Sequence, residues 1–428
     1  MVGLNSNILP IGEHEAEVTL IGGSSGFGEC IVIRYEEDEW AIVDSCIDAK
    51  TQTCLPLEYL RALGVKPEEK VKYVICTHWH DDHIRGLHEV LNACSSDTIF
   101  CVAMASERLK FLYEIERSNL YEADRGVRKE LILCMDKANE KGIKVMRLVQ
   151  DQRVFKTDCC ECNALSPSQK ELSHFFEELA HAIDDKAKVA EQKEKLAGVK
   201  ESAIESADNI SNDIFNSFSS ELMDGLIDSP SLSDDDYNDL KLLQGNALVT
   251  KPNINDRSVA LLLTIQGHHI VLGADLEVSS DIECGWQSVN DSICMRGVYA
   301  GLFKIPHHGS STGYYELFLR NHIKPEATGK LTTWIKGKKV RPEKDTLALY
   351  HQYFSKLYIT IDPSCLTGKF TTPEYKKIME ESTESIVDIK SQYGIVQSRL
   401  DLTTGSDEWK TTTYGSARVV SQEMIGRM

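Results

Sequence analysis

The chain has no long apolar run. Its strongest, "VALLLTI" at 259–265, is the length of a β-strand and well short of the ~20 residues a membrane span needs. A membrane protein is therefore not expected. The opening residues, "MVGLNSNILPIGEHEAE", lack a basic start and an apolar segment and turn acidic early. No secretory signal is read there, and a cytoplasmic location is expected. Basic charge is scarce, with 47 Lys and Arg against 66 Asp and Glu and a net charge of −19. That balance excludes a broad nucleic-acid-binding face, since phosphate contacts depend on Lys and Arg. Cysteine is present in number, at 13, but without an export signal the thiols are expected to be reduced. The tightest group, Cys159, Cys160 and Cys162, lacks the second ligand pair of a structural zinc site and reads as loop or core thiols.

Histidine is sparse too, at 13 in 428 residues, yet three of them fall within "THWHDDHIRG" at 77–86. His78, His80, Asp82 and His83 gain nothing from crowding in an ordinary core, where burying an unpaired polar group costs roughly 2–7 kcal/mol. A metal site repays that cost. His78 and His80, two apart on an extended segment, can point the same way and hold one ion, while Asp82 and His83 face a second. Imidazole and carboxylate donors suit one or two divalent ions, zinc or manganese before others.

The composition, 42% apolar and 26% charged, is that of a globular protein. At 428 residues it is either one large domain with an insertion or two domains. "CIVIRY" (30–35) and "WAIVDS" (40–45) read as a hairpin, "PLEYLRALGV" as a helix ended by Gly64, and "KYVICT" (72–77) as a buried strand leading into the histidine cluster. "GGSSGFGE" lacks the Lys-Ser/Thr of a phosphate-binding loop and reads as a turn. From about 168 the chain changes character. Leu172, Phe175, Phe176, Leu179 and Ile183 recur at helical spacing, with His174 and His181 opposite them. Residues 171–250 hold 18 acidic and 6 basic side chains. Residues 168–248 are therefore read as an acidic, partly helical insertion between two halves, 1–167 and 249–428, of one domain. Strands resume at "SVALLLTI" (258–265), "HIVLG" (269–273), "GLFKIP" (301–306) and "LYITID" (357–362), with a β-rich C-terminus. Two β-rich halves that deliver polar residues from strand ends predict a layered α/β fold, a four-layer αββα sandwich.

Two further donors stand where apolar strands run out, Asp275 after "HIVLGA" and the pair His307–His308 after "LFKIP". A bridging carboxylate and a distant histidine are what a two-ion site needs. Asp275 and one of the two histidines, His307 put first, are taken as ligands. Whichever of His307 and His308 is not a ligand hydrogen-bonds the substrate or protonates the leaving group, beside Ser310 and Ser311. His268 and His269 fall at the opposite strand end.

These residues resemble the metallo-β-lactamase-fold hydrolases, whose signature "THWHDDH" matches after a strand. "WAIVDS" resembles that family's early strand ending in an aspartate, here Asp44. "NDRSVALLLTIQGHHIVLGADLE" and "LFKIPHHGSSTGY" resemble the subgroup related to the hydrolase domain of ComEC-type DNA-uptake proteins, with Asn255, Ser258, Asp275 and His307 to Ser310 at the recurring positions. The likeness spans roughly 18–105 and 250–365. A further histidine that many two-ion members supply between the first cluster and the bridging aspartate has no counterpart at a strand end here. The resemblance implies a metal-dependent hydrolase, using a metal-activated hydroxide with Asp82 orienting the water, and a phosphodiesterase or nuclease within that class. The basic stretch "GKLTTWIKGKKVRPEK" at 329–344 fits a nucleotide or single-stranded nucleic acid as substrate. The alternatives are hydrolysis of a lactam, lactone or thioester, and a non-catalytic metal-containing binding module. The insertion is expected to serve a homo-oligomer contact or a regulatory partner.

Overall fold

The computed structural model describes residues 8, 10–103, 130–174, 226–227, 255–337, 339–365, 393–406 and 408–428. Two large sheets form its centre. The nine-stranded sheet runs, in spatial order, Lys410–Gly415, Gly394–Asp401, Glu15–Gly22, Glu29–Glu36, Glu39–Val43, Val71–Cys76, Ile99–Val102, Lys144–Arg147 and Leu226–Ile227. The eight-stranded sheet runs Arg418–Val419, Lys356–Ile359, Ile323–Leu331, Ala300–Lys304, His268–Leu272, Leu261–Ile265, Cys160–Ala164 and Arg153–Lys156. Each sheet takes strands from both sides of the 168–248 segment. Among the described residues no helix is long and apolar enough to cross a membrane.

Strand alternation explains the layering. In Glu29–Glu36, Ile31, Ile33 and Tyr35 point to the core between the sheets, while Cys30 and Val32 point outward. The outward face packs under Leu55–Ala62, Leu87–Ala93 and Glu130–Lys141 through Tyr59, Leu60, Leu87, Val90 and Leu131. In Leu261–Ile265, Leu261, Leu263 and Ile265 face the sheet–sheet core. Leu262 faces a third core beneath Gly285–Asn290, Glu316–His322 and Lys344–Tyr353. Period-two sequences with both faces apolar thus give the four layers α, β, β, α. Cys160 and Cys162 are buried between the sheets as core thiols. Leu263→Ala should open a cavity in that middle core and lower unfolding free energy by about 2–5 kcal/mol, read from urea denaturation of the metal-free protein.

Most of the 168–248 segment lies outside the described residues, including Phe175, Phe176, Leu179, His181 and Ile183. Its described beginning is part of the main body. Leu172 is buried under the first helical layer, and Glu171 accepts from the backbone N–H of Gly285 at 2.7 Å. Leu226–Ile227 adds an edge strand beside Lys144–Arg147. The basic stretch also divides. Lys330 is buried between the sheets, its ammonium donating to the Val18 and Val396 carbonyls at 2.6 and 3.2 Å. Burial holds its pKa well below the usual lysine range. Lys336 and Lys339 are exposed and face each other at the tip of a two-stranded hairpin, Trp334–Lys336 with Lys339–Arg341.

What positions the site is strand direction. Glu39–Val43 and Val71–Cys76 are parallel neighbours in one sheet. His268–Leu272, Ala300–Lys304 and Ile323–Leu331 are parallel neighbours in the other. Their carboxyl ends deliver Asp44, Thr77–His83, Asp275, His307–Ser310 and Thr332 to one place, as open parallel sheets commonly do. The "QGH" turn, with Gln266 and Gly267 at φ 47° and 85°, lies with His268 and His269 at the far end of its strand.

Candidate metal centre

Four of the eight non-glycine residues with positive φ among the described residues sit on these loops: Asp44 (60°), Ala274 (43°), His307 (45°) and His308 (52°). Left-handed backbone costs an ordinary residue roughly 1–2 kcal/mol, and such outliers gather where function demands a particular side-chain aim. Gly273 serves a different need. A Cβ there would stand 2.9 Å from the Lys304 carbonyl and 3.1 Å from Pro306, so only glycine lets the Asp275 and His307 loops lie side by side.

Asp82, His83, Asp275 and His308 converge, each offering an atom within 4.8 Å of the others, and all four are buried. His83 Nε2 lies 3.2 Å from Asp275 Oδ1. His308 Nε2 lies 3.4 Å from Asp275 Oδ2 and 3.3 Å from Asp82 Oδ2. His83 Nε2, His308 Nε2 and Asp275 Oδ1 make no hydrogen bond of acceptable geometry. Buried polar atoms left so are uncommon and need a reason. A cation among them is the simplest, and the donor set of two imidazoles and two carboxylates fits a divalent ion.

The electrostatics agree. Burial works against charge on the rings, but Asp275 and then Asp44 outweigh it and hold the His83 pKa well above the imidazole range. Burial likewise opposes charge on His308, yet Asp275 and Asp82 raise it to about 9. Asp275 and Asp82 are held low against burial by those same rings. Two carboxylates favour positive charge at this spot, from the His83 and His308 rings and from the Lys304 ammonium 4.0 Å from Asp275 Oδ1.

His78 and His80 stand beside this group. His78 Nε2 is 4.0 Å from Asp275 Oδ2 and 3.1 Å from His80 Nδ1. Burial, then the neighbouring His83 and His80, keep the His78 pKa well below normal. Asp44 accepts from Thr77 N–H and Oγ1 at 2.8 and 2.7 Å and meets His83 Nδ1 at 2.8 Å, which fixes that ring's direction.

The adjacent histidines after "LFKIP" part company. His308 enters the cluster. His307, put first of the two candidates that the sequence left open, lies at the rim, with Nδ1 2.7 Å from Glu277 and Nε2 3.2 Å from the Asn255 amide. Ser310 is buried, and its hydroxyl caps the short turn Ser311–Gly313 by accepting from Thr312 N–H at 3.4 Å. Ser311 is exposed, its N–H donating to Glu343 at 2.5 Å. Sequence reasoning passed over Trp334, whose ring lies nearly parallel to His308 at 6.3 Å, and the buried trio Glu29, Lys304 and Thr332. A lysine inside the apolar strand "GLFKIP" was the available signal.

No curated relative matches the chain. Among solved structures, the metallo-beta-lactamase fold protein YhfI from Bacillus subtilis is similar at 13% identity, with a TM-score of 0.34, over 82% of this chain and 96% of that one. The metallo-beta-lactamase SMB-1, in a complex with mercaptoacetic acid, is similar at 17% identity and a TM-score of 0.22, over 35% of this chain and 51% of its own. Residues 24–116, which include the whole loop from Thr77 to His83, match the family described as the Metallo-beta-lactamase superfamily.

Proposed function

We propose that the protein is a metal-dependent hydrolase of phosphodiesters in a nucleotide or a single-stranded nucleic acid. The observation that carries the metal dependence is the convergence of His83 Nε2, His308 Nε2 and Asp275 Oδ1, buried and without hydrogen bonds, on the family-matched loop. Asp82, His83, Asp275 and His308 would hold one ion, and His78 with His80 would extend the donor row toward a second. A bound divalent ion supplies Lewis-acid polarisation and lowers the pKa of water.

The remaining work falls to the chain. Asp82 is the least covered of the four, 8% exposed against 0% for His83, so its carboxylate is the one placed to orient a water and accept its proton. His307, on the rim and steered by Glu277 and Thr312, is placed to give a proton to the leaving oxygen. The hairpin begins at Trp334, whose ring stacks on His308 at 6.3 Å. Lys336 and Lys339 carry exposed positive charge at that hairpin's tip, in keeping with a small anionic substrate on an otherwise acidic protein.

The experiment pairs metal analysis with hydrolysis of bis-p-nitrophenyl phosphate and of a short single-stranded oligonucleotide. Replacing both Lys336 and Lys339 by Glu should raise KM for the oligonucleotide by about tenfold, on the basis of a few tenths to 1 kcal/mol per exposed charge lost or reversed. Turnover at saturation should stay near wild type. An uncharged lactam or thioester would not respond. Stoichiometric metal with turnover of none of these substrates would leave a metal-containing binding module.

A further inference from the structure

We infer that Thr332, Glu29 and Lys304 are positioning residues that set the direction and proton placement of His308, so that Nε2 presents its lone pair to the cation site. The inference rests on the metal-centre reading above. The Thr332 hydroxyl donates its one hydrogen to Glu29 Oε2. Toward His308 Nδ1, 2.7 Å away, that hydroxyl can then only accept. Nδ1 must therefore carry the hydrogen, and the neutral ring has its free lone pair on Nε2, the atom aimed at Asp82 and Asp275.

Glu29 is itself held. Its other oxygen, Oε1, pairs with the Lys304 ammonium, which also donates to the Ala274 carbonyl at 2.8 Å and stands 4.0 Å from Asp275 Oδ1. All four side chains are nearly inaccessible to solvent, with Lys304 and Glu29 each 1% exposed. One buried ammonium thus fixes the carboxylate that orients Thr332 and touches the loop that presents Asp275. The chain Lys304–Glu29–Thr332–His308 joins the start of the strand Glu29–Glu36 in one sheet to the ends of two strands in the other. His83 is tied at Nδ1 by Asp44, so both rings are anchored on the side away from the cluster. Partners of this kind typically change metal affinity by about 10–100-fold when removed.

The test is Zn²⁺ affinity, measured by chelator competition on protein first stripped of metal. Thr332→Val keeps the shape and removes the hydroxyl, and should weaken Zn²⁺ binding by about 10–100-fold. Thr332→Ser restores the hydroxyl and should bind within about threefold of wild type, a rescue that a purely packing role would not produce. Glu29→Gln should weaken binding in the same range, because its amide can turn a donor toward Thr332 and free that hydroxyl to donate to Nδ1. If Thr332→Val proves insoluble, Glu29→Gln against Thr332→Ser carries the same comparison. Folded Thr332→Val or Glu29→Gln with wild-type Zn²⁺ affinity would overturn the inference, as would a wild type that takes up no Zn²⁺. Loss of affinity in both variants alongside a wild type that cleaves no phosphodiester would sink the proposed reaction alone and leave the positioning chain standing.

Discussion

Asp275→Asn is expected to lower turnover by at least about 10–100-fold, the range seen when groups merely supporting a metal ligand are lost, and to reduce bound metal in the same preparations. The carboxylate stands between His83 and His308 at 3.2 and 3.4 Å, with the Lys304 ammonium 4.0 Å away. Asparagine keeps its size but offers neither the charge nor the second equivalent oxygen. Were Asp275 only a turn residue after the strand His268–Leu272, asparagine would form much the same local hydrogen bonds and pass nearly unnoticed. Metal titration of wild type and variant in one buffer separates these cases. Equal stoichiometry and equal turnover would detach the second sheet from the chemistry.

That variant joins the part of the site legible in sequence to the part that was not. The loop Thr77–His83 was legible because four donors in six positions have no apolar explanation, and because "KYVICT" declares a buried strand before it. Asp275 was legible as the first acid after an apolar strand. The layering was legible wherever strands alternate, as in Ile31, Cys30 and Val32, whose two faces proved to pack in two different cores. Glu29 and Thr332 were not legible. They are 303 positions apart, and nothing local marks either one as the other's partner. Lys330 was read only as part of a basic stretch and Lys304 was passed over, although a lysine inside an apolar strand such as "GLFKIP" is a signal of burial. The strand Leu226–Ile227 was absorbed into the acidic insertion because two apolar residues amid charge carry no period.

The choice between His307 and His308 shows the same boundary most sharply, and exchanging each for alanine turns it into a measurement. Adjacent residues in an extended chain point to opposite sides, so sequence leaves open which one faces inward. Here both take left-handed backbone, at φ 45° and 52°, and the turn swings His308 into the cluster while His307 stays with Glu277 and Asn255 at the rim. His308→Ala removes a converging nitrogen from a buried site and should weaken metal binding by more than about 100-fold, beyond the loss typical of an outer supporting group. Turnover should fall with it. His307→Ala should retain the full metal complement and lose about 10²–10⁴-fold in turnover, the range for a positioned general acid. That loss should be smallest for substrates whose leaving group needs no proton, so p-nitrophenyl esters should suffer less than an oligonucleotide. The reverse pattern, metal lost with His307 and kept without His308, would return the ligand role to His307 and require the 307–309 turn to be rebuilt around a bound ion.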